Sequence, residues 1–262
     1  MSSRGLSALH VEEFVDNGFV RVDEAFPSEV AAECRAMCWQ ETGCDPDDPK
    51  TWTEPVIRLS NCAQEPFRRA ANTPRLHAAF DQLVGPGRWL PRESIGTIPI
   101  RFPHPRDPGD AGWHIDGGYH PEGHKSGPPW VNVHSRGRAL LMLFLFSDTA
   151  ENDAPTRIRV GSHLQVPSRL EPAGEEGMSS DDLAATGLFE ATSGFPQVLA
   201  TGRAGDVFLC HPFLVHAAQP HRGAVPRFLG QPPLYPAQPI QIAGEDGASP
   251  VEIAIRRGLT SS

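Results

Sequence analysis

No apolar run in the sequence exceeds the eight residues from Ala139 to Phe146, far short of the ~20 that a membrane-spanning helix needs. Lysine and arginine form no cluster and the formal net charge is -9, so the basic patch that nucleic-acid phosphates require is missing. The stretch from Met1 to Phe19 has no apolar h-region and carries Glu12, Glu13 and Asp16, so it does not read as a secretory signal. There is no CxxC pair, and an odd count of five cysteines points to reduced thiols rather than a disulfide framework. Cys34 and Cys38 fall one turn apart on an amphipathic helix, so with Cys44 they are expected to pack as small apolar residues rather than bind zinc. No internal repeat is present. These absences predict a cytoplasmic protein that binds neither a nucleic acid nor a membrane.

What is present is proline and glycine, 27 and 25 residues, scattered between short apolar segments as turns between strands would be. Helices are expected early. Pro27 opens one with an apolar stripe of Val30, Cys34, Met37 and Cys38 running toward Gly43, and Thr73-Pro74 caps a second that carries Leu76, Phe80 and Leu83 to Gly85. From Ile95 the pattern changes to eight short strand-like segments: Ile95–Phe102, Trp113–Asp116, Ala139–Ser147, Arg157–Val160, Gln197–Thr201, Asp206–Cys210, Leu214–Ala217 and Phe228–Leu234. Eight such strands suit a jelly roll. The expected organisation is one domain over 1–262: a mostly helical flank over 1–94, a β core over 95–235 with long inserts at 117–137 and 171–193, and a tail over 236–262. The second insert is expected to hold a short helix around Asp181–Leu188. Inserts of this length are usually functional lids or mobile segments.

Within the core, Trp113-His114-Ile115-Asp116 places an imidazole and a carboxylate on the same face of an extended strand. Alone the pair says little, because 11 histidines and 15 aspartates in 262 positions give about 0.6 chance occurrences of His-x-Asp. Its context adds weight. Gly205-Asp206 leads into the strand Val207–Cys210, then Phe213-Leu214-Val215-His216 follows, and Arg227 comes eleven residues later. Two neutral imidazoles and one carboxylate would leave three sites open on Fe(II), enough for a bidentate 2-oxo acid and O2. A planar guanidinium on the same cavity could take a carboxylate through two hydrogen bonds.

At these residues the chain resembles the phytanoyl-CoA dioxygenase-like (PhyH) branch of the Fe(II)/2-oxoglutarate-dependent oxygenases. The resemblance is carried by His114-x-Asp116, by the Arg157–His163 segment, by Gly205-Asp206 leading to His216 and Arg227, and by Phe14, Gly18-Phe19-Val20 and the Pro27 helix near the start. It implies a mainly β, double-stranded β-helix (jelly roll, cupin-like) core with N-terminal flanking helices. It further implies iron held by His114, Asp116 and His216, 2-oxoglutarate held through Arg227, and O2 as oxidant. Thr97 and Arg101 fall where relatives often place a polar contact to cosubstrate or substrate. One departure stands out: many members carry a serine two residues past the last ligand, whereas this chain has Ala218.

The resemblance implies oxidation of a C-H bond of a small metabolite, with hydroxylation expected and desaturation, epimerisation or oxidative cyclisation of the kind found in secondary metabolism as alternatives. Asp116 argues against halogenation, since halogenating relatives have a small residue in that place. A non-catalytic jelly-roll binding protein is the competing reading of another class, and a hydrolytic zinc enzyme would leave Arg227 without a purpose. His120, Trp130, His134 and Arg138 are candidate substrate contacts around the first insert, and His163 either borders the pocket or hydrogen-bonds to backbone. His211, five residues before His216, would face the other way on an unbroken strand and is expected to be structural. The polar, aromatic and arginine-bearing candidates favour a polar or anionic substrate over a long acyl chain.

Overall fold

A computed structural model describes residues 5–124, 126–243 and 247–260. The first residues of the 1–94 flank, residue 125 of the first insert, and parts of the 236–262 tail therefore lie outside the described residues. In the flank the chain runs α1 (Ala8–Asn17), β1 (Phe19–Val22), α2 (Ser28–Thr42), β2 (Val56–Cys62), α3 (Glu65–Ala71), α4 (Pro74–Leu83) and β3 (Trp89–Leu90). Then come β4 (Gly96–Arg101), β5 (Trp130–Val131), β6 (Leu140–Leu145), β7 (Arg157–Arg159), α5 (Pro167–Leu170), β8 (Met178–Ser179), α6 (Ser180–Ala185) and α7 (Leu188–Ala191). The chain closes with β9 (Gln197–Leu199), β10 (Val207–Cys210), β11 (His216–Ala217), β12 (Leu229–Gly230), β13 (Pro233–Pro236) and α8 (Pro250–Thr260).

The strands form a jelly roll, with every pairing among the described residues antiparallel. One sheet has the order β1-β10-β6-β13-β3, with β12 also on β6, and the opposing sheet is β11-β7-β9. The inter-sheet core follows from alternation along β6, all six of whose residues are buried. Leu141, Leu143 and Leu145 join Ile158, Phe208, Cys210, Leu214 and Leu229 between the sheets. Leu140, Met142 and Phe144 point the other way, into the cluster that the helical layer covers, where Phe26 lies 5.8 Å from Phe144 and Phe67 5.8 Å from Phe146, centroid to centroid. A continuous apolar run is what a strand covered on both faces requires. Truncating Leu143 to alanine would cost about 2–5 kcal/mol.

The helices expected after Pro27 and Thr73 are α2 and α4, and Thr73 caps α4 by accepting a hydrogen bond from the Leu76 amide at 3.2 Å. Other expectations change. The 1–94 flank contributes strands: β1 pairs with β10, and β2 pairs with β4. Trp113–Asp116 is not a full strand, because only His114 pairs, as a single bridge to His216. Phe228–Leu234 splits into β12 and β13, since Pro232 has no amide hydrogen to continue the ladder. The two inserts are joined to each other by β5 and β8. The tail ends in α8, whose Val251, Ala254, Ile255 and Gly258 form a buried helical stripe. Among the described residues, no helix is long and apolar enough to cross a membrane.

Candidate metal and cosubstrate site

His114 and His216 exchange both backbone hydrogen bonds, each N-H to O distance being 3.0 Å. Such a directly opposed pair puts both side chains on one face, and their ring centroids are 4.4 Å apart. Each ring is oriented by a carbonyl two residues back: His114 Nδ1 lies 2.9 Å from Gly112 O, and His216 Nδ1 lies 2.9 Å from Leu214 O. A carbonyl only accepts, so Nδ1 carries a proton on both rings, and a ring that holds one proton presents its Nε2 lone pair. Both lone pairs face the same atom. His114 Nε2 is 3.8 Å and His216 Nε2 3.9 Å from Asp116 Oδ1, and ligand atoms of the three residues all lie within 4.8 Å of one another.

Electrostatics favour the states that a cation needs. Burial pushes His216 down to about 4, so it is neutral and available as a ligand. For Asp116, burial would raise the carboxyl, but Arg138, His216 and His114 together outweigh it and hold the group below its ordinary value. Arg138 Nη1 lies 3.4 Å from Asp116 Oδ2. An ionised carboxylate with two neutral imidazoles is a borderline N/O donor set suited to Fe(II).

A second cluster lies on neighbouring strands. Arg101 and Arg227 are also directly opposed, exchanging backbone hydrogen bonds of 3.0 and 2.9 Å, and both side chains are buried. Arg227 donates from Nη1 to Ala154 O at 2.6 Å and from Nη2 to Pro99 O at 3.2 Å. Arg101 donates from Nη2 to Asp110 Oδ2 at 2.6 Å and from Nη1 to Gln219 O at 3.3 Å. The Nε of each guanidinium, and Oδ1 of Asp110, are buried without a hydrogen-bond partner. Burial, with Arg101 alongside, pushes Arg227 down to about 9. Asp110 is half-buried and pairs with Arg101 and with the more exposed Arg58, so buried Arg227 faces no carboxylate within ion-pair distance among the described residues, a setting that favours a second carboxylate.

Sequence reasoning missed two members of this framework. Asp110 sits in a proline- and glycine-rich loop with no spacing to mark it. Arg157 donates from Nη2 to Ala111 O at 2.7 Å and to Ala218 O at 3.0 Å, tying the His114 and His216 segments together. Its guanidinium and that of Arg159 lie 4.7 and 4.1 Å over the Trp113 ring. The Arg-x-Arg alternation on β7 was the readable signal.

The remaining candidates separate. Arg138 reaches the triad. Thr97 is exposed on β4, four residues and about 13 Å along the strand from Arg101, so it does not join the arginine cluster. His120 is exposed. Trp130 bridges to Tyr119, and its ring contacts His124 within the insert at 5.2 Å. His134 Nδ1 lies 3.0 Å from Ile240 O, on the wall of a 720 Å³ groove that Arg136, Glu175 and Tyr235 also line and no triad residue does. His163 does not border the pocket: it is fully buried, with Nε2 3.1 Å from Val15 O and its ring 4.9 Å from His211. A short helical turn after Gly161, Ser162–Gln165, carries it beneath α1. His211 is structural as expected, with Nε2 3.3 Å from Val251 O.

A family model described as phytanoyl-CoA dioxygenase (PhyH) matches residues 14–229. No curated protein sequence matches the chain. Among solved structures, the chain is similar to the non-heme alpha-ketoglutarate-dependent carbocyclase SnoK from nogalamycin biosynthesis, with TM-score 0.63, 18% identity, and coverage of 90% of this chain and 86% of that one. HygX from Streptomyces hygroscopicus, solved with nickel, 2-oxoglutarate and hygromycin B, gives TM-score 0.53 and 18% identity over 88% of each chain. EctD from S. alaskensis, solved with 2-oxoglutarate and 5-hydroxyectoine, gives TM-score 0.57 and 20% identity over 88% of this chain and 76% of that one. At these identities the structural likeness speaks for the fold.

Proposed function

The chain belongs to the phytanoyl-CoA dioxygenase (PhyH) family of Fe(II)/2-oxoglutarate-dependent oxygenases, and from that premise we propose that it hydroxylates a C-H bond of a small polar or anionic metabolite. In this reading His114, Asp116 and His216 hold the iron, and Arg227 with Arg101 holds the distal carboxylate of 2-oxoglutarate. The observation that carries it is the convergence of two imidazole Nε2 atoms on one oxygen of Asp116. When bound, iron, 2-oxoglutarate and O2 supply the oxidation: the 2-oxo acid becomes succinate and CO2, one oxygen atom enters succinate, and the other reaches the substrate.

The chain's residues supply position and charge. The Gly112 and Leu214 carbonyls keep the protons on Nδ1, so both Nε2 atoms remain ligands. Arg157 fixes the spacing of the two histidine segments. In this reading the arginine pair takes the far carboxylate of the dicarboxylate, which gives Arg227 and Arg101 a function that a non-catalytic barrel would not need. Arg101 also offers a physical account of Ala218: its guanidinium reaches the carbonyl of the next residue, Gln219, and its buried Nε can take the place of the absent hydroxyl. Asp116 fills the position that halogenation would leave open.

Substrate polarity rests on the arginine-bearing surroundings of the site, and the hygromycin B and 5-hydroxyectoine bound in two of the similar structures support a polar metabolite. Desaturation, epimerisation and cyclisation use the same oxidation and differ in where the substrate is held. We propose one oxygenase domain over 1–262, acting in the cytoplasm. The test is to load the protein with Fe(II) without oxygen, add 2-oxoglutarate and pools of polar and anionic metabolites, admit O2, and follow succinate. Succinate well above that of Arg227→Ala is the expected result, and none above that variant would contradict the proposal.

A further inference from the structure

The first insert is pinched at its base, and the pinch runs through the carboxylate of the triad. Arg138, the residue that follows the insert, is nearly buried, with 11% of its side chain exposed. Its guanidinium reaches two consecutive residues: Nη1 lies 3.4 Å from Asp116 Oδ2, and Nη2 donates to Gly117 O at 3.4 Å. The backbone that aims it is a tight turn in which the Arg138 amide donates to Ser135 O at 3.1 Å and Gly137 has φ +85°. That turn packs on Gly118 so closely that a Cβ on Gly118 would stand 2.1 Å from Arg136 O, and one on Gly137 would stand 2.1 Å from Gly118 O. Two glycines facing each other thus fix where Arg138 points.

The two oxygens of Asp116 are therefore unlike. Oδ1 faces both imidazole Nε2 atoms, and Oδ2 faces a cation held by the fold. We infer that Arg138 is a positioning residue that restrains Asp116 to ligate through Oδ1 alone, so that three positions stay open for a chelating 2-oxo acid and O2. The inference rests on the proposed iron site. It replaces the role of substrate contact for Arg138 with one on the metal ligand.

The clamp and a merely structural role predict opposite signs. Freed of Arg138, Asp116 can offer both oxygens, and a cation near the metal is gone; each change tightens metal binding while the extra oxygen competes with 2-oxoglutarate. Simple loss of an orienting contact would instead weaken metal binding, commonly by about 10–100-fold. The experiment measures Co(II) affinity and then 2-oxoglutarate affinity of the Co(II)-loaded protein by calorimetry, for the wild type, Arg138→Met, Arg138→Lys and His216→Ala, with near-ultraviolet circular dichroism and Tm as fold checks.

For Arg138→Met the expected result is Co(II) bound about tenfold more tightly and 2-oxoglutarate about tenfold more weakly, the order of one nearby unit charge removed, with Arg138→Lys in between because it keeps the charge but not the fork. Unchanged or weaker Co(II) binding in folded Arg138→Met overturns the clamp, and if Arg138→Met does not fold, wild-type affinities in Arg138→Lys overturn it. His216→Ala should lose Co(II) altogether; Co(II) retained there would sink the metal-site reading itself, a distinguishable failure.

Discussion

Two histidine pairs sit in the same barrel and do different work. His114 and His216 stand 4.4 Å apart, His163 and His211 4.9 Å apart. In the first pair Nδ1 is tied to a local carbonyl and both Nε2 atoms turn to Asp116. In the second pair it is Nε2 that meets backbone: His163 reaches Val15 O in α1, and His211 reaches Val251 O in α8. His211 Nδ1 accepts from the Phe213 amide at 3.2 Å, and the carboxylate that acts on His163, Asp16, is exposed and paired with Arg257. Proximity of imidazoles does not make a metal site. The nitrogen left free and the group opposite it decide, and here one pair is arranged to bind a cation while the other clasps the two terminal helices onto the sheet.

The comparison breaks most severely if Asp116 is neutralised. Asp116→Asn keeps the shape and removes the charge, and it should lower Fe(II) affinity by more than the ~100-fold typical of losing an outer contact, with no succinate formed; a metal-binding isotherm checks this. Arg227→Met should leave metal binding intact and weaken 2-oxoglutarate by about 2–5 kcal/mol, or roughly 30-fold and more, the range for removing one partner of a buried charge pair. Calorimetry on the metal-loaded protein reads it.

The buried pair should answer in stability alone. His211→Ala is expected to cost about 2–4 kcal/mol by loss of packing and of two backbone contacts, seen in chemical unfolding, while Co(II) affinity stays as in the wild type. Acid should act on this pair as well. Burial pushes His163 from its ordinary 6.5 down to about 4, and burial with His163 beside it also lowers His211. Between those pH values the unfolded chain takes up protons that the folded chain refuses. Stability is thus full above about pH 6.5 and falls toward pH 4, by on the order of 1.4 kcal/mol per pH unit for each group. His163→Phe should flatten the slope of Tm against pH. The smallest effect is expected for Thr97→Ala, which should change 2-oxoglutarate affinity by less than about twofold, as exposed substitutions away from a site do.

How much of this was legible in the sequence follows from what each residue depends on. His114-x-Asp116 and the His216 to Arg227 interval were readable because an i, i+2 pair in extended backbone shares a face and because the second interval is a family spacing. The apolar run in β6 and the capped starts of α2 and α4 were readable for similar reasons. Asp110 was not, because its meaning comes from Arg101 folding against it across a loop. The role of Arg138 depends on two glycines meeting across an insert whose ends are twenty residues apart. For His163 the sequence left a pocket border and a backbone hydrogen bond both open, and the turn at Gly161 decides for the second by sending it beneath α1. α8 carried its stripe of Val251, Ala254, Ile255 and Gly258 openly, yet 236–262 was read only as a tail, since a lone short helix gains its stability from tertiary packing rather than from its own sequence.

The measurement closest to the central claim is an anaerobic titration of the Fe(II)-loaded protein with 2-oxoglutarate, read as the visible charge-transfer absorption of a 2-oxo acid chelated to Fe(II). The structure predicts a saturable band for the wild type, a band displaced to higher 2-oxoglutarate concentration for Arg227→Met, and none for Asp116→Asn or His216→Ala. No band in the wild type, or an undiminished band in Asp116→Asn, would contradict the assignment of His114, Asp116 and His216 as the iron site.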